Sequence, residues 1–111
     1  MKRGRRERPA ELATRVVFSE GTQADLDSLF EWLVGRVGEG IALGYVERIR
    51  RHCLALVPFP RRGTKRDEIA PGVRTIGFER RVTIAFAVED DTVLILAIAY
   101  GGRQLDADRL R

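Results

Sequence analysis

The sequence predicts an α+β domain in the order β-α-α-β-β-β, an antiparallel helical hairpin packed on a small, mostly antiparallel sheet. Three observations carry this prediction. Apolar side chains recur at helical spacing between residues 20 and 57, and nearly continuous apolar runs of strand length fill 82–88 and 92–100. The stretch between, residues 58–81, has no helical pattern and links a helical half to a sheet half.

Arg15-Val16-Val17-Phe18 is β-branched and aromatic, hence a short strand, and Ser19 follows as an N-cap candidate. The first helix carries Leu26, Leu29, Phe30, Leu33 and Val37 on one face, with Asp25, Asp27 and Glu31 toward its start. Gly38 and Gly40 break it. A second helix is expected over 41–57, its apolar face made of Ala42, Tyr45, Val46, Ile49, Cys53 and Leu56. Pro58 ends it, because proline cannot continue the hydrogen-bond ladder. Pro71-Gly72 reads as a turn that launches a strand over 73–79. The acidic run Glu89-Asp90-Asp91 turns the chain between the last two strands. Ala97 and Ala99 are small enough to let the helices approach the sheet closely. Tyr100-Gly101-Gly102-Arg103 closes the final strand, and 104–111 is a polar tail with room for one short helix.

A chain of 111 residues with 44% apolar and 32% charged content is expected to fold as one globular domain. Residues 1–14 lack apolar periodicity and read as a basic flexible arm, with the domain over 15–111. No run approaches the roughly 18 apolar residues of a membrane span, and the N-terminus has no apolar signal core. A single cysteine excludes an internal disulfide and suits a reducing, cytoplasmic setting. With one histidine and one cysteine, neither a metal nor a cofactor is expected. Residues 58–81 hold seven of the twenty cationic residues against three acids, a net +4 that equals the formal charge of the whole chain.

Local patterns then fall in one order: Val17-Phe18-Ser19, Ala24-Asp25-Leu26, Phe59-Pro60-Arg61-Arg62-Gly63 and Arg66-Asp67-Glu68-Ile69. After these come Pro71-Gly72-Val73-Arg74, Phe78-x-Arg80-Arg81, Ile84-x-Phe86-x-Val88 and Tyr100-Gly101-Gly102-Arg103. The series resembles the toxins of the RelE/ParE superfamily of type II toxin–antitoxin systems, most closely the ParE or plasmid-stabilisation branch. The resemblance implies a growth-inhibiting toxin of DNA gyrase, neutralised by a cognate antitoxin, commonly of the ribbon-helix-helix type. Operator DNA would be reached only through that antitoxin. The RelE-like alternative is a ribosome-dependent mRNA endonuclease.

The residues divide between these readings. An endoribonuclease must activate a 2′-hydroxyl, stabilise a phosphate and protonate a leaving oxygen. Arg74, Arg81, Arg103 and Tyr100 are its candidates here. The sheet strands carry no lysine and no histidine follows His52, so the expectation leans away from an enzyme. Arginine stays protonated and makes a poor base. Arg74, Arg80, Arg81, Tyr100 and Arg103 instead form a candidate patch for a target or partner. Phe30 and Trp32 are candidate antitoxin contacts, because Trp32 falls at the edge of the helix stripe. Arg62, Arg66 and Asp67 are expected to tie down the central loop. His52 and Cys53 are expected to be structural.

Overall fold

The computed structural model describes residues 13–101. Among these residues the elements are β1 (Arg15–Phe18), α1 (Glu20–Val37), α2 (Glu39–Leu54), β2 (Thr64–Lys65), β3 (Arg74–Phe78), β4 (Val82–Glu89) and β5 (Thr92–Tyr100). They form one sheet in the order β1-β5-β4-β3-β2, with β1 parallel to β5 and the other neighbours antiparallel. The predicted β-α-α-β-β-β order holds, with the two-residue β2 added inside the central loop. The predicted arm ends earlier than 14. Ala13 is buried with its N–H on the Val57 carbonyl at 3.2 Å, and the Thr14 N–H donates to the Asp91 carbonyl at 2.8 Å. Residues 1–12 of that arm, the tail 104–111, and Arg103 lie outside the described residues.

Both helices follow from their sequences. The Ser19 Oγ accepts the Thr22 N–H at 3.1 Å and so caps α1. The buried stripe of α1 is Thr22, Leu26, Leu29 and Leu33. Val37, predicted on that stripe, is 45% exposed because the chain turns away at the next residue. Gly38 alone makes that reversal, at φ 90, and Gly40 belongs to α2. The buried face of α2 is Ala42, Val46, Ile49 and Cys53, and Leu56 follows it into the core.

The central loop is held as expected. The Arg62 Nη2 donates to the Ala55 carbonyl at 2.6 Å, the Asp67 Oδ1 accepts the Gly72 N–H at 2.9 Å, and Arg66 pairs with Glu68. Gly63 takes φ 83 there. A Cβ at that position would lie 2.4 Å from the Thr75 carbonyl oxygen.

A bulge in β5 decides which side chains face the helices. Ile95 pairs with Phe86 but Ala97 pairs with Ala85, so Leu96 is an extra residue. Side chains of a strand alternate between faces, so one inserted residue reverses the assignment of everything after it. Ile98 and Tyr100 therefore join Val93 and Ile95 against the helices. Ala97 joins Val73 and Ala85 in a second, smaller cluster, and Ala99 pairs with Thr83 on that same face. The expectation that Ala97 and Ala99 lie under the helices is thereby corrected.

The N-terminal half of α1 supplies partners for backbone groups that β5 turns toward its β1 edge. The Thr22 Oγ1 donates to the Ile95 carbonyl at 2.8 Å, and the Asp25 Oδ2 accepts the Ile98 N–H at 2.9 Å. The Ile95 carbonyl also accepts the Ser19 N–H at 3.1 Å, whereas burying the Ile98 N–H without its partner would cost about 1–3 kcal/mol. Because β1 pairs with β5 only from Thr92 to Ile95, α1 replaces a strand along the rest of that edge.

Candidate functional site

The bulge brings the end of β5 into an aromatic cluster. Tyr100 lies 5.2 Å, ring to ring, from Trp32 of α1 and 6.3 Å from Tyr45 of α2. Tyr45 meets the edge of Phe78 at 5.9 Å, and Phe78 lies 5.1 Å from the His52 ring. Such tilted and edge-on pairs suit the quadrupoles of the rings. Arginines border the cluster. The Arg36 guanidinium sits 4.3 Å from the centre of the Trp32 ring and that of Arg48 5.2 Å from the Tyr45 ring. Burial, then the neighbouring Tyr100 and Glu79, push the Tyr45 phenol above its ordinary value, while the Arg48 and Arg81 guanidiniums pull it back.

On the other side of Tyr100, a groove of about 330 Å³ opens between α1 and β5, lined by Asp25, Ser28, Leu29, Trp32, Ile98 and Tyr100. Trp32 is 45% exposed at its rim. Phe30, predicted beside Trp32 as a contact, packs half-buried against the core instead. Two residues along a helix point about 200° apart, so the two rings do not make one patch.

The structure also divides the predicted arginine patch. Arg74 opens β3, where its Nη1 reaches the Arg62 carbonyl at 3.5 Å, and it pairs with Lys65 of β2, so the expectation of sheet strands without lysine is corrected. Arg80 and Arg81 lie beyond the opposite end of β3, in the turn to β4. Five strand residues separate the two ends by roughly 13 Å. Tyr100 belongs with Arg81, since it pairs with Val82, and the Arg81 carbonyl accepts the Gly101 N–H at 2.7 Å. Among the described residues, the candidate nuclease set therefore does not converge on one point.

The β3–β4 turn has a geometry that sequence reasoning missed. Glu79 and Arg80 both adopt left-handed backbone, at φ 49 and 67. Primed hairpin turns need this at both central positions and normally take Asn or Gly there. Glu79 is gripped by Arg48 of α2 through two hydrogen bonds, Nε to Oε2 at 3.0 Å and Nη2 to Oε1 at 3.1 Å. The one available signal was Glu79 itself, a lone acid beside two arginines in Phe78-Glu79-Arg80-Arg81.

Cys53 is fully buried, and burial pushes its thiol up to about 12, which removes it as a nucleophile. His52 is half-buried against Phe78.

Three comparisons place this architecture. Residues 16–105 match the family described as the ParE toxin of the type II toxin–antitoxin system parDE. A solved structure titled as a chromosomal ParDE toxin–antitoxin system from P. aeruginosa is similar at 26% identity. The match covers 84% of this chain and 99% of that one, with a TM-score of 0.70. The toxin–antitoxin complex RelBE2 from Mycobacterium tuberculosis shares the fold at 18% identity and a TM-score of 0.60, over 83% of this chain and 95% of that one. Comparison with curated proteins returned no match. With every helix and, but for Arg15, every strand residue inside the matched region and two helices on a mostly antiparallel sheet, the chain belongs to the ParE toxin family of type II toxin–antitoxin systems.

Proposed function

We propose that the chain is a toxin that inhibits DNA gyrase, acts in the cytoplasm and is neutralised by a cognate antitoxin of the ribbon-helix-helix type. The toxin–antitoxin setting follows from the family and from neighbours that are themselves toxin–antitoxin systems. The preference for gyrase over messenger RNA rests on one observation. Arg74 stands at the far end of β3 from Arg81 and Tyr100, and the one carboxylate in the β3–β4 turn, Glu79, is already held by both oxygens on Arg48. A surface of this kind binds; it does not move protons. Arg80, Arg81 and Tyr100, with Arg103, form the contact patch in this reading, and Trp32 at the groove rim is the antitoxin anchor. Plasmid stabilisation is the corresponding role in the cell.

Induced expression without antitoxin tests this, with DNA-damage response and 5′-end mapping of messenger RNA read in the same cells. The expected result is filamentation and a DNA-damage response with intact messages. Codon-phased cleavage of messages without that response would make the chain a RelE-like endonuclease.

A further inference from the structure

We propose that the β3–β4 turn is a pre-set cationic prong, Arg80 and Arg81, that takes the carboxylates of an acidic segment of a partner protein, with Arg48 and Glu79 as its positioning residues. This deepens the reading of that end of the sheet as a contact patch and names what the patch accepts.

Four features fix the prong. Glu79 and Arg80 hold consecutive left-handed conformations without a glycine, a backbone that persists only where its surroundings over-determine it. The bidentate grip of Arg48 on Glu79 provides that restraint from a different element, and Arg48 is itself stacked over Tyr45. On the other flank, the Arg81 N–H closes the turn onto the Phe78 carbonyl at 3.3 Å, and its carbonyl is tied to Gly101 at 2.7 Å. Finally, Arg80 and Arg81 are exposed, and among the described residues neither guanidinium has a hydrogen bond or ion pair.

With Glu79 matched by Arg48, the turn presents two exposed, unpaired cations at consecutive positions. A nucleic-acid backbone asks for a row of cations following several phosphates. Here the turn offers only two adjacent cations, directly preceded by the Glu79 carboxylate. Two guanidinium forks fit one or two carboxylates, each bound bidentately. Holding the turn in place beforehand lowers the ordering cost of that contact.

The test is a nuclear magnetic resonance titration of the isotope-labelled full chain with a short glutamate-rich peptide. Its glutamine counterpart and a single-stranded oligonucleotide of similar length serve as comparisons. The expected result is a saturable shift centred on residues 79–81 with the glutamate peptide alone. The double variant Arg80→Ala, Arg81→Ala should weaken binding at least about tenfold, the worth of one charge-assisted hydrogen bond. Arg48→Lys keeps the charge but loses the fork, and should weaken binding severalfold, with the melting temperature measured beside it. A melting shift with unchanged affinity would reduce Arg48 to a structural role. Tighter binding of the oligonucleotide at the same residues, or no saturable shift at all, would overturn the prong. Gyrase inhibition is assayed separately. A chain that inhibits gyrase but ignores the peptide refutes the prong alone, and one that binds the peptide but spares gyrase refutes the proposed target alone.

Discussion

Replacing Thr22 with valine is expected to destabilise the fold by about 1 kcal/mol, through the loss of the hydroxyl's hydrogen bonds to the Ile95 carbonyl and to the part-buried Ser19 hydroxyl, with no change of shape. Thr22 has no exposed surface, and its Oγ1 donates to the Ile95 carbonyl at 2.8 Å, where β5 begins its bulge. Valine has the same shape, so no cavity opens. The Ile95 carbonyl still receives the Ser19 N–H at 3.1 Å, so it is not left without a partner and the loss stays near the low end. Serine at the same position keeps the hydroxyl and drops a methyl, for roughly 1 kcal/mol. Alanine loses both, for about 2 kcal/mol. Each kcal/mol should lower the melting temperature of a domain this size by about 4–8 °C. Thermal unfolding by circular dichroism reads the series. Fluorescence of Trp32, the sole tryptophan, reports whether Tyr100 stays 5.2 Å away in the native state. A valine variant as stable as the parent would show that the bulge needs no help from α1, and the account of how Tyr100 reaches the helix side would fail.

Gly63→Ala should cost about 2–4 kcal/mol, since it combines a left-handed φ of 83 with a Cβ inside the contact distance of the Thr75 carbonyl; chemical denaturation checks this, and a loss below about 0.5 kcal/mol would contradict it. Arg80→Gly should leave the fold as stable or more so, by up to about 1 kcal/mol, because glycine relieves the left-handed strain at φ 67. Cys53 should resist a thiol reagent in the folded state and react fully on unfolding. Its pH dependence has a defined sign. The folded thiol is raised from 9.0 to about 12, so the stability it confers is complete below pH 9 and is lost as the pH climbs toward 12. Denaturation midpoints that rise across that alkaline interval would refute the burial argument.

Much of this was legible in the residues. The helices announced themselves through Leu26, Leu29 and Leu33, through Ala42, Val46, Ile49 and Cys53, and through the Ser19 cap. Arg62 and Asp67 were read correctly as loop ties. The faces of β5 were not legible, because Thr92–Tyr100 is apolar at nearly every position and a bulge leaves no trace where alternation is absent. Ala97 and Ala99 were misassigned for that reason. Thr22 carried a signal that went unread: it lies four residues before Leu26 on the buried stripe, and a hydroxyl there calls for a carbonyl partner. The split of Arg74 from Arg81 required the strand length between them. The Arg48–Glu79 grip joins positions 31 residues apart, beyond the reach of any local pattern.

The central claim is most directly tested by adding the purified chain to purified DNA gyrase and following supercoiling and trapped DNA cleavage. The account predicts dose-dependent loss of supercoiling with accumulation of cleaved DNA, much reduced in the folded Arg80→Ala, Arg81→Ala variant. Full gyrase activity at saturating chain, with cleavage of messenger RNA on ribosomes instead, would contradict it.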